Sequence, residues 1–382
     1  MKIVHICLCG AMTDGFNYQE NVITKYHKKM GNDVTIIASQ WIWNSDGKLK
    51  RTYKTDYINE DGVKMVRLSI KHGTVNSRLK TYPDLYGAVE KERPDILFIH
   101  DCQFLDIRKL ALYAKRHPNV KVYVDNHVDY SNGAHGWFSR NLLHKGLWRF
   151  CVKKIEPYVT KFYGVLPARV DFLKEMYDLP ANKCELLVMG ADDELVEKAA
   201  NPKIMKETRI SLGIHGNDFL IITGGKIDEW KTQTLLLMEA IQNISAERVR
   251  LIVFGSVSDN LKEKVNALVD DVKIQYVGWL SSEESYNLFG AADLVVFPGR
   301  HSVYWEQVAG QGIPMIVKDW PGTHHIDLGG NVLFLEQDKA QEIQGKIQEL
   351  LDSPSKYELM KYNAQKKRMR FSYRDIAKRS IE

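Results

Sequence analysis

The sequence has no Asp-x-Asp anywhere, so the familiar carboxylate pair for holding a divalent cation is missing, and positive side chains and helix N-termini must take that role. No metal and no other cofactor is expected. No G-x-G-x-x-G follows the first strand-like run, which argues against a dinucleotide-dependent dehydrogenase. The five cysteines, Cys7, Cys9, Cys102, Cys151 and Cys184, are an odd number without C-x-x-C spacing. Buried free thiols are therefore expected rather than a zinc site. No apolar run approaches the length of a membrane span, and nothing resembles a signal peptide, because Met1 to Gly10 goes straight into a buried-type strand. The expectation is a protein that begins at Met1 in the cytoplasm. Repeats and low-complexity tracts are absent. A formal net charge of +5 is too mild to mark a nucleic-acid partner, and none is expected, but it favours anionic lipid or phosphate-bearing substrates.

What is present is a globular chain of 382 residues, 44% hydrophobic and 26% charged, long enough that two domains are the natural expectation. Strand-like runs at Ile3 to Leu8, Val34 to Ala38, Ile96 to His100, Val120 to Asp125 and Leu186 to Met189 alternate with helical stretches. The second half repeats this at Phe219 to Thr223, Val249 to Phe254, Lys273 to Val277, Leu294 to Phe297, Met315 to Lys318 and Val332 to Leu335. Such alternation predicts an α/β fold of two tandem Rossmann-like, doubly wound parallel-sheet domains whose strand-end loops face a cleft. Gly, Asp and Pro cluster between Ala191 and Pro202, giving domains at 1–198 and 199–365, with a helical tail at 366–382 that returns to the first. Residues 41 to 75 have no clear pattern.

The chain is organised around Phe219 to Lys231, FLIITGGKIDEWK. A β-branched strand ends at Gly224-Gly225, two lysines follow, and an amphipathic helix begins near Thr232. Glycine lets a backbone approach closely, a helix N-terminus offers unpaired N–H groups, and ammonium groups neutralise phosphate oxygens. The junction suits a diphosphate, although a turn with solvated lysines has the same outline.

Gly225-Lys226-Ile227-Asp228-Glu229-Trp230-Lys231, Val253-Phe254-Gly255-Ser256, Val277-Gly278-Trp279-Leu280, Ala291 to Pro298 and Glu306 to Pro314 together resemble the two-Rossmann (GT-B) glycosyltransferases, particularly retaining family 4. Lysine stands at 226 where that family commonly has arginine. The resemblance implies a glycosyltransferase taking a nucleotide-sugar, UDP-linked by preference, to a glycan or lipid-linked acceptor in bacterial-type surface polysaccharide or glycoconjugate synthesis. By it Lys226 and Lys231 hold the departing diphosphate, Gly225, Gly278 and Leu280 line the nucleotide, and Ser302 and Val303 offer amides to phosphate. Glu306 would take the ribose hydroxyls, a helix-terminal carboxylate being the other reading of that residue. In the first, acceptor-binding domain, Gly10 and Asp14 belong to a loop near the phosphates. His127 matches the histidine placed beside the donor sugar, and Asp101 and Asp125 stand at neighbouring strand ends. His127 and the two lysines are the catalytic candidates, Asp14, Asp101 and Asp125 the acceptor or loop candidates.

One feature of the family is missing. Its E-x7-E motif places a glutamate at Gly299 or Pro298, according to register, and neither is acidic; that glutamate addresses the sugar. Retention of configuration is what the resemblance implies, by front-face substitution in which the leaving phosphate takes the acceptor proton. Residues 136 to 154 mix Trp137, Phe138, Leu142, Trp148 and Phe150 with Arg140, Lys145, Arg149, Lys153 and Lys154 and contain no acidic residue. Such a helix could rest on an anionic membrane, or could simply cover the domain core. The rival functions are an epimerase or phosphorylase of the same fold, and a protein that binds nucleotide-sugar without turnover.

Overall fold

Short β-branched runs closed by turn residues make the strands of this chain, and the helices between them force parallel pairing. In the computed structural model, which describes residues 1–44 and 48–382, the chain divides into two compact units, Met1–Val188 with Ile376–Glu382, and Met189–Asp375. Residues 189–198, which the sequence reading put in the first domain, therefore group with the second. Of the expected returning tail, 366–382, only Ile376–Glu382 belongs to the first unit.

Among the described residues of the first unit ten strands form: β1 (Lys2–Cys7), β2 (Asp33–Ser39), β3 (Trp41–Trp43), β4 (Leu49–Arg51), β5 (Asp56–Ile58), β6 (Lys64–Leu68), β7 (Ile96–His100), β8 (Lys121–Asn126), β9 (Val159–Gly164) and β10 (Cys184–Leu186). Eight of them make one sheet in the order β10-β9-β8-β7-β1-β2-β6-β5, while β3 and β4 form a separate antiparallel ribbon. Only β5 runs antiparallel within the large sheet. From β6 outward the order is that of a doubly wound fold, with its switch between β1 and β7.

Side chains alternate across a strand, so the sheet has two different faces. Val4, Ile6, Leu97, Ile99, Val122 and Val124 belong to a large aliphatic core on one side. His5, Phe98, His100, Tyr123 and Tyr163 share the other. Among their partners are His27, from the helix Gln19–Lys29, and the C-terminal residues Ala377 to Ile381.

The second unit holds β11 (Phe219–Gly224), β12 (Val249–Phe254), β13 (Ile274–Tyr276), β14 (Leu294–Phe297), β15 (Met315–Lys318) and β16 (Val332–Leu335). All are parallel, in the order β13-β12-β11-β14-β15-β16. Its switch falls between β11 and β14, so the loops at Gly224 and at Pro298 flank the crevice where such sheets bind ligands. Ile221, Leu237, Ile241, Leu251, Val296 and Ile316 fill the core beneath.

Candidate functional site

Beyond β11 the backbone is packed too tightly for side chains. A Cβ on Gly224 would meet the Phe254 ring at 2.1 Å, and one on Gly255 would meet the Gly225 carbonyl oxygen at 1.9 Å. Gly225 and Gly255 have φ of 120° and 122°, a region L-residues rarely adopt. The loops after β11, β12 and β13 are joined by main-chain bonds, Gly225 N–H to Phe254 O at 3.1 Å, Ile227 N–H to Ser256 O at 2.8 Å and Gly255 N–H to Gly278 O at 2.7 Å. This rigid floor carries the basic groups.

Lys231 has its ammonium over Gly225, since a Cβ there would lie 3.9 Å from Nζ. Burial pulls its pKa down; Asp228 opposes this, and Arg300 and Lys226 add to it. Lys226 is 65% exposed and meets Asp228 Oδ2 at 3.3 Å. Arg300, which the sequence reading passed over, is a third cation. Its guanidinium lies 4.7 Å from the Trp230 ring centroid and 5.8 Å from that of Trp320. It makes no ion pair with a carboxylate among the described residues. Its signal was positional, since it stands immediately past β14, at the same switch. Gly299 lies against Lys231, with 3.9 Å from its notional Cβ to Lys231 Cα; a glutamate at that position would stand among these cations. Ser302 and Val303 precede the helix Tyr304–Gln311 and lie partly exposed beside them. Gly278, with φ of 76°, and the partly exposed Leu280 belong to the loop after β13, where Trp279 is turned outward.

Glu306 has a different setting from the one expected. It is fully buried, and its Oε1 accepts N–H bonds from His301 Nε2 and His325 Nε2, each at 2.8 Å. Burial alone would raise the carboxyl pKa, but the two imidazoles hold it at about 2. Only Oε2, buried and without a partner, remains for another donor.

In the first unit the strand-end residues are tied to one another. Asp125, fully buried at the end of β8, accepts from His100 Nδ1 at 2.7 Å through Oδ2 and from the Asp101 N–H at 3.0 Å through Oδ1. Asp101, just past β7, adopts φ of 63° and accepts the His127 N–H at 2.8 Å. His127 Nε2 stands 3.6 Å from Asp125 Oδ1, with a quarter of its side chain exposed. Burial lowers the His127 pKa, but the Asp125 charge outweighs it and raises it to about 9; water reaching the ring screens part of that pull. Asp101, Asp125 and His127, the candidates named from the sequence in this unit, thus lie together, and His100 joins them. Asp14 does not join them: its oxygens take the Tyr57 hydroxyl at 2.6 Å and Arg67 Nη2 at 3.4 Å, a brace for the loop. Gly10 is exposed with open space about its α-carbon.

The sequence gave no warning that His100 continues a row. His100 Nε2 meets His5 Nδ1 at 2.9 Å, His5 Nε2 meets His27 Nδ1 at 3.0 Å, and His27 Nε2 meets Ala377 O at 2.9 Å. His5, on β1, and His27 lie far apart in sequence and show no motif.

Two groups, His100-Asp125-His127 and His301-Glu306-His325, bring three possible metal-ligand atoms within 4.8 Å. In each, an imidazole stands 2.7 or 2.8 Å from the carboxylate oxygen. Neighbouring ligands of a tetrahedral zinc keep about 3.3 Å apart, so these are hydrogen-bond spacings. The five cysteines are unpaired. A depression of about 880 Å³ lined by Arg93, Pro94, Arg116 and Asn119 lies at the amino ends of β7 and β8, away from all of these groups.

Segment 136–154 forms a π-type helix, Ser139–Trp148, running into an α-helix, Arg149–Ile155. Trp148, Cys151 and Val152 are buried, whereas Trp137, Phe138, Leu142 and Phe150 are 52–72% exposed. Arg149 is committed to the carbonyls of Met176 and Glu175, and Lys153 to that of Asp178. Arg140, Lys145 and Lys154 are left on the exposed side.

Residues 204–367, within the second unit, match the family model described as glycosyl transferases group 1. No curated protein matches the chain. Among solved structures the chain is similar to HepE of Anabaena in complex with UDP, at 14% identity and TM-score 0.71 over 99% of this chain and 98% of that one. It is similar to a glycosyltransferase from Rickettsia africae, at 15% identity and TM-score 0.68 over 99% and 96%. A third likeness is to sucrose-phosphate synthase from Thermosynechococcus elongatus, at 13% identity and TM-score 0.65 over 99% and 96%. At these identities the likeness is one of fold, and the fold is the two-domain GT-B type.

Proposed function

We propose that the protein is a metal-independent glycosyltransferase that moves a sugar, with retention, from a nucleoside-diphosphate donor to a glycan or lipid-linked acceptor. The observation that carries this reading is the gathering of Lys226, Lys231 and Arg300 on a glycine floor at the switch of the second sheet, within the residues that match the family. A diphosphate there finds charge, close backbone and a helix N-terminus together. As the sugar leaves, negative charge grows on the phosphate, and prepositioned cations stabilise that charge more than the ground state. Lys231, whose ammonium is destabilised by burial, regains a counter-charge when the donor binds. UDP ranks first because the first structural neighbour contains it.

With the strand-end carboxylates Asp101 and Asp125 engaged in hydrogen bonds, no free side-chain nucleophile stands out among the described residues of this site, which favours front-face substitution with the leaving phosphate taking the acceptor proton. His127, charged and partly exposed, stabilises anionic oxygen. A lipid-linked acceptor suits the exposed Trp137, Phe138, Leu142 and Phe150 with Arg140, Lys145 and Lys154, a composition that rests on anionic membrane surfaces. Thermal-shift measurements against UDP-, GDP- and TDP-sugars test the donor class, since a ligand that binds only the native state raises the melting temperature. A shift with one nucleotide series and none with the others supports the reading; no shift with any sinks it. Slow donor hydrolysis without an acceptor separates a transferase from a protein that only binds.

A further inference from the structure

The row Asp125, His100, His5, His27, Ala377 has a proton count that its geometry fixes. At one end Ala377 offers a carbonyl oxygen, which accepts only. Ser380 donates its hydroxyl to that same carbonyl at 2.8 Å, and its Oγ lies 3.1 Å from His27 Nε2. His27 Nε2 must therefore carry hydrogen, since a bare nitrogen would face the carbonyl lone pairs at 2.9 Å. At the other end Asp125 Oδ2 is a carboxylate oxygen 2.7 Å from His100 Nδ1. Between these two acceptors run four hydrogen bonds, each needing one proton. Three neutral imidazoles supply three.

We propose that this row stores one additional proton, seated on His100 as an imidazolium against Asp125, and that His100 is thereby a positioning residue that sets the charge shared between Asp125 and His127. With His27 and His5 as Nε2–H tautomers, each donates toward Ala377 and accepts on Nδ1, so His100 must donate from both nitrogens. The stored proton is mobile. If His100 passes its Nε2 proton to His5 Nδ1, and His5 passes its own Nε2 proton to His27 Nδ1, the imidazolium becomes His27; the two bonds between imidazoles reverse direction, and the end bonds to Asp125 and Ala377 O are unchanged. Only protons move, and none enters or leaves.

The surroundings agree with a charge held at the His100 end. His5 is lowered by burial first and then by the neighbouring His27 and His100, and His27 is lowered to about 4 by burial. Asp125 is held well down by His100 and His127 against the effect of its burial. The other titratable groups nearby, at the Asp125 end, include Asp101, Arg169 and the Cys7, Cys9 and Cys102 thiols. The phenols of Tyr123 and Tyr163 lie along the flank, donating to Ile381 O and Arg379 O.

The proton count is independent of the reaction; the consequence for catalysis rests on the transferase reading. Histidine-selective 15N NMR on the unliganded full chain at about pH 7.5, a unit above the ordinary histidine value, separates the two. Within the row one doubly protonated imidazole, assigned to His100, is expected, with His5 and His27 as Nε2–H tautomers; His127, whose pKa is raised to about 9, gives a separate doubly protonated signal. Three neutral rings, or a protonated Asp125 carboxyl, would overturn the proposal whatever the activity proves to be. In His100→Gln the stored charge is gone, and the His127 titration should rise by about one unit; an unchanged value would reduce His100 to a packing group. Should that variant not fold, His27→Gln serves, because its amide can still donate to Ala377 O and accept from His5. There the doubly protonated His100 signal should persist, and its loss would equally overturn the proposal.

Discussion

The two sheets are wound in the same order about the same switch, yet the groups beyond their strand ends differ in kind. In the first unit Asp125, Asp101, His100 and His127 satisfy one another at 2.7–3.6 Å. In the second unit Lys231 is a destabilised ammonium, and among the described residues Arg300 has indole faces and no carboxylate as partners. One site is electrostatically complete without a ligand; the other is short of negative charge. Because preorganised charge is held at the expense of stability, the same substitution strategy should have opposite consequences in the two places.

The largest expected effect is on binding in the second unit. Lys226→Ala with Lys231→Ala removes two charge-assisted contacts to the diphosphate, each worth about 1.5–3 kcal/mol. Donor affinity by calorimetry should then fall by a factor on the order of 10²–10⁴, while stability stays within about 0.5 kcal/mol of the parent. Affinity unchanged within threefold would remove the diphosphate from this loop. Asp125→Asn in the first unit tests the other half of the contrast. It leaves a buried imidazolium without its counter-charge, and by analogy with broken buried pairs should cost roughly 3 kcal/mol of stability in denaturant titration. A loss below about 1 kcal/mol would mean that the strand-end cluster contributes as little as a surface pair.

Much of this was legible in the sequence, and the limits have physical causes. β11, β12 and β14 to β16 could be read because they are mostly apolar runs closed by turns, and the glycine and lysine positions followed from phosphate chemistry. β3, β4 and β5 are three-residue strands with partly exposed side chains, too short to show a period of two. β9 carries an exposed Thr160 and a partly exposed Lys161 in its middle, which broke its apolar pattern. Asp125 and His127 were visible as strand-end residues, but His5 and His27 were not, because their meaning comes from tertiary pairing. Glu306 reads as a ribose ligand by the resemblance, or as a helix N-terminal carboxylate, and neither reading contains its engagement by His301, five residues before it, and His325, 19 residues after it. Arg300 belongs to no motif, and its place past the end of β14 at the switch is what marks it.

The contrast also makes the two units respond differently to acid. His27 is lowered from its ordinary value to about 4, so the unfolded chain binds its proton first as pH falls. The stability it contributes is complete above about pH 6.5 and is lost on the way down to about 4. At pH 5 the loss from His27 alone is about 2 kcal/mol, one and a half units at 1.36 kcal/mol each, and the lowering of His5 acts in the same direction. His127 works oppositely: its pKa is raised to about 9, so its contribution is fully present in acid and disappears as pH rises through that value. In the second unit the buried carboxyl of Glu306 is held at about 2, and what it contributes is lost only below the ordinary carboxylate range. Between about pH 6.5 and 4.5, then, the first unit should lose protection while these groups leave the second unchanged. Hydrogen exchange followed at pH 7 and pH 5, corrected for the intrinsic rate, measures this directly: amides of β1, β7 and β8 should become less protected relative to those of β11, β12 and β14. Equal change in the two sets would show that the imidazole row has no special part in the stability of the first unit.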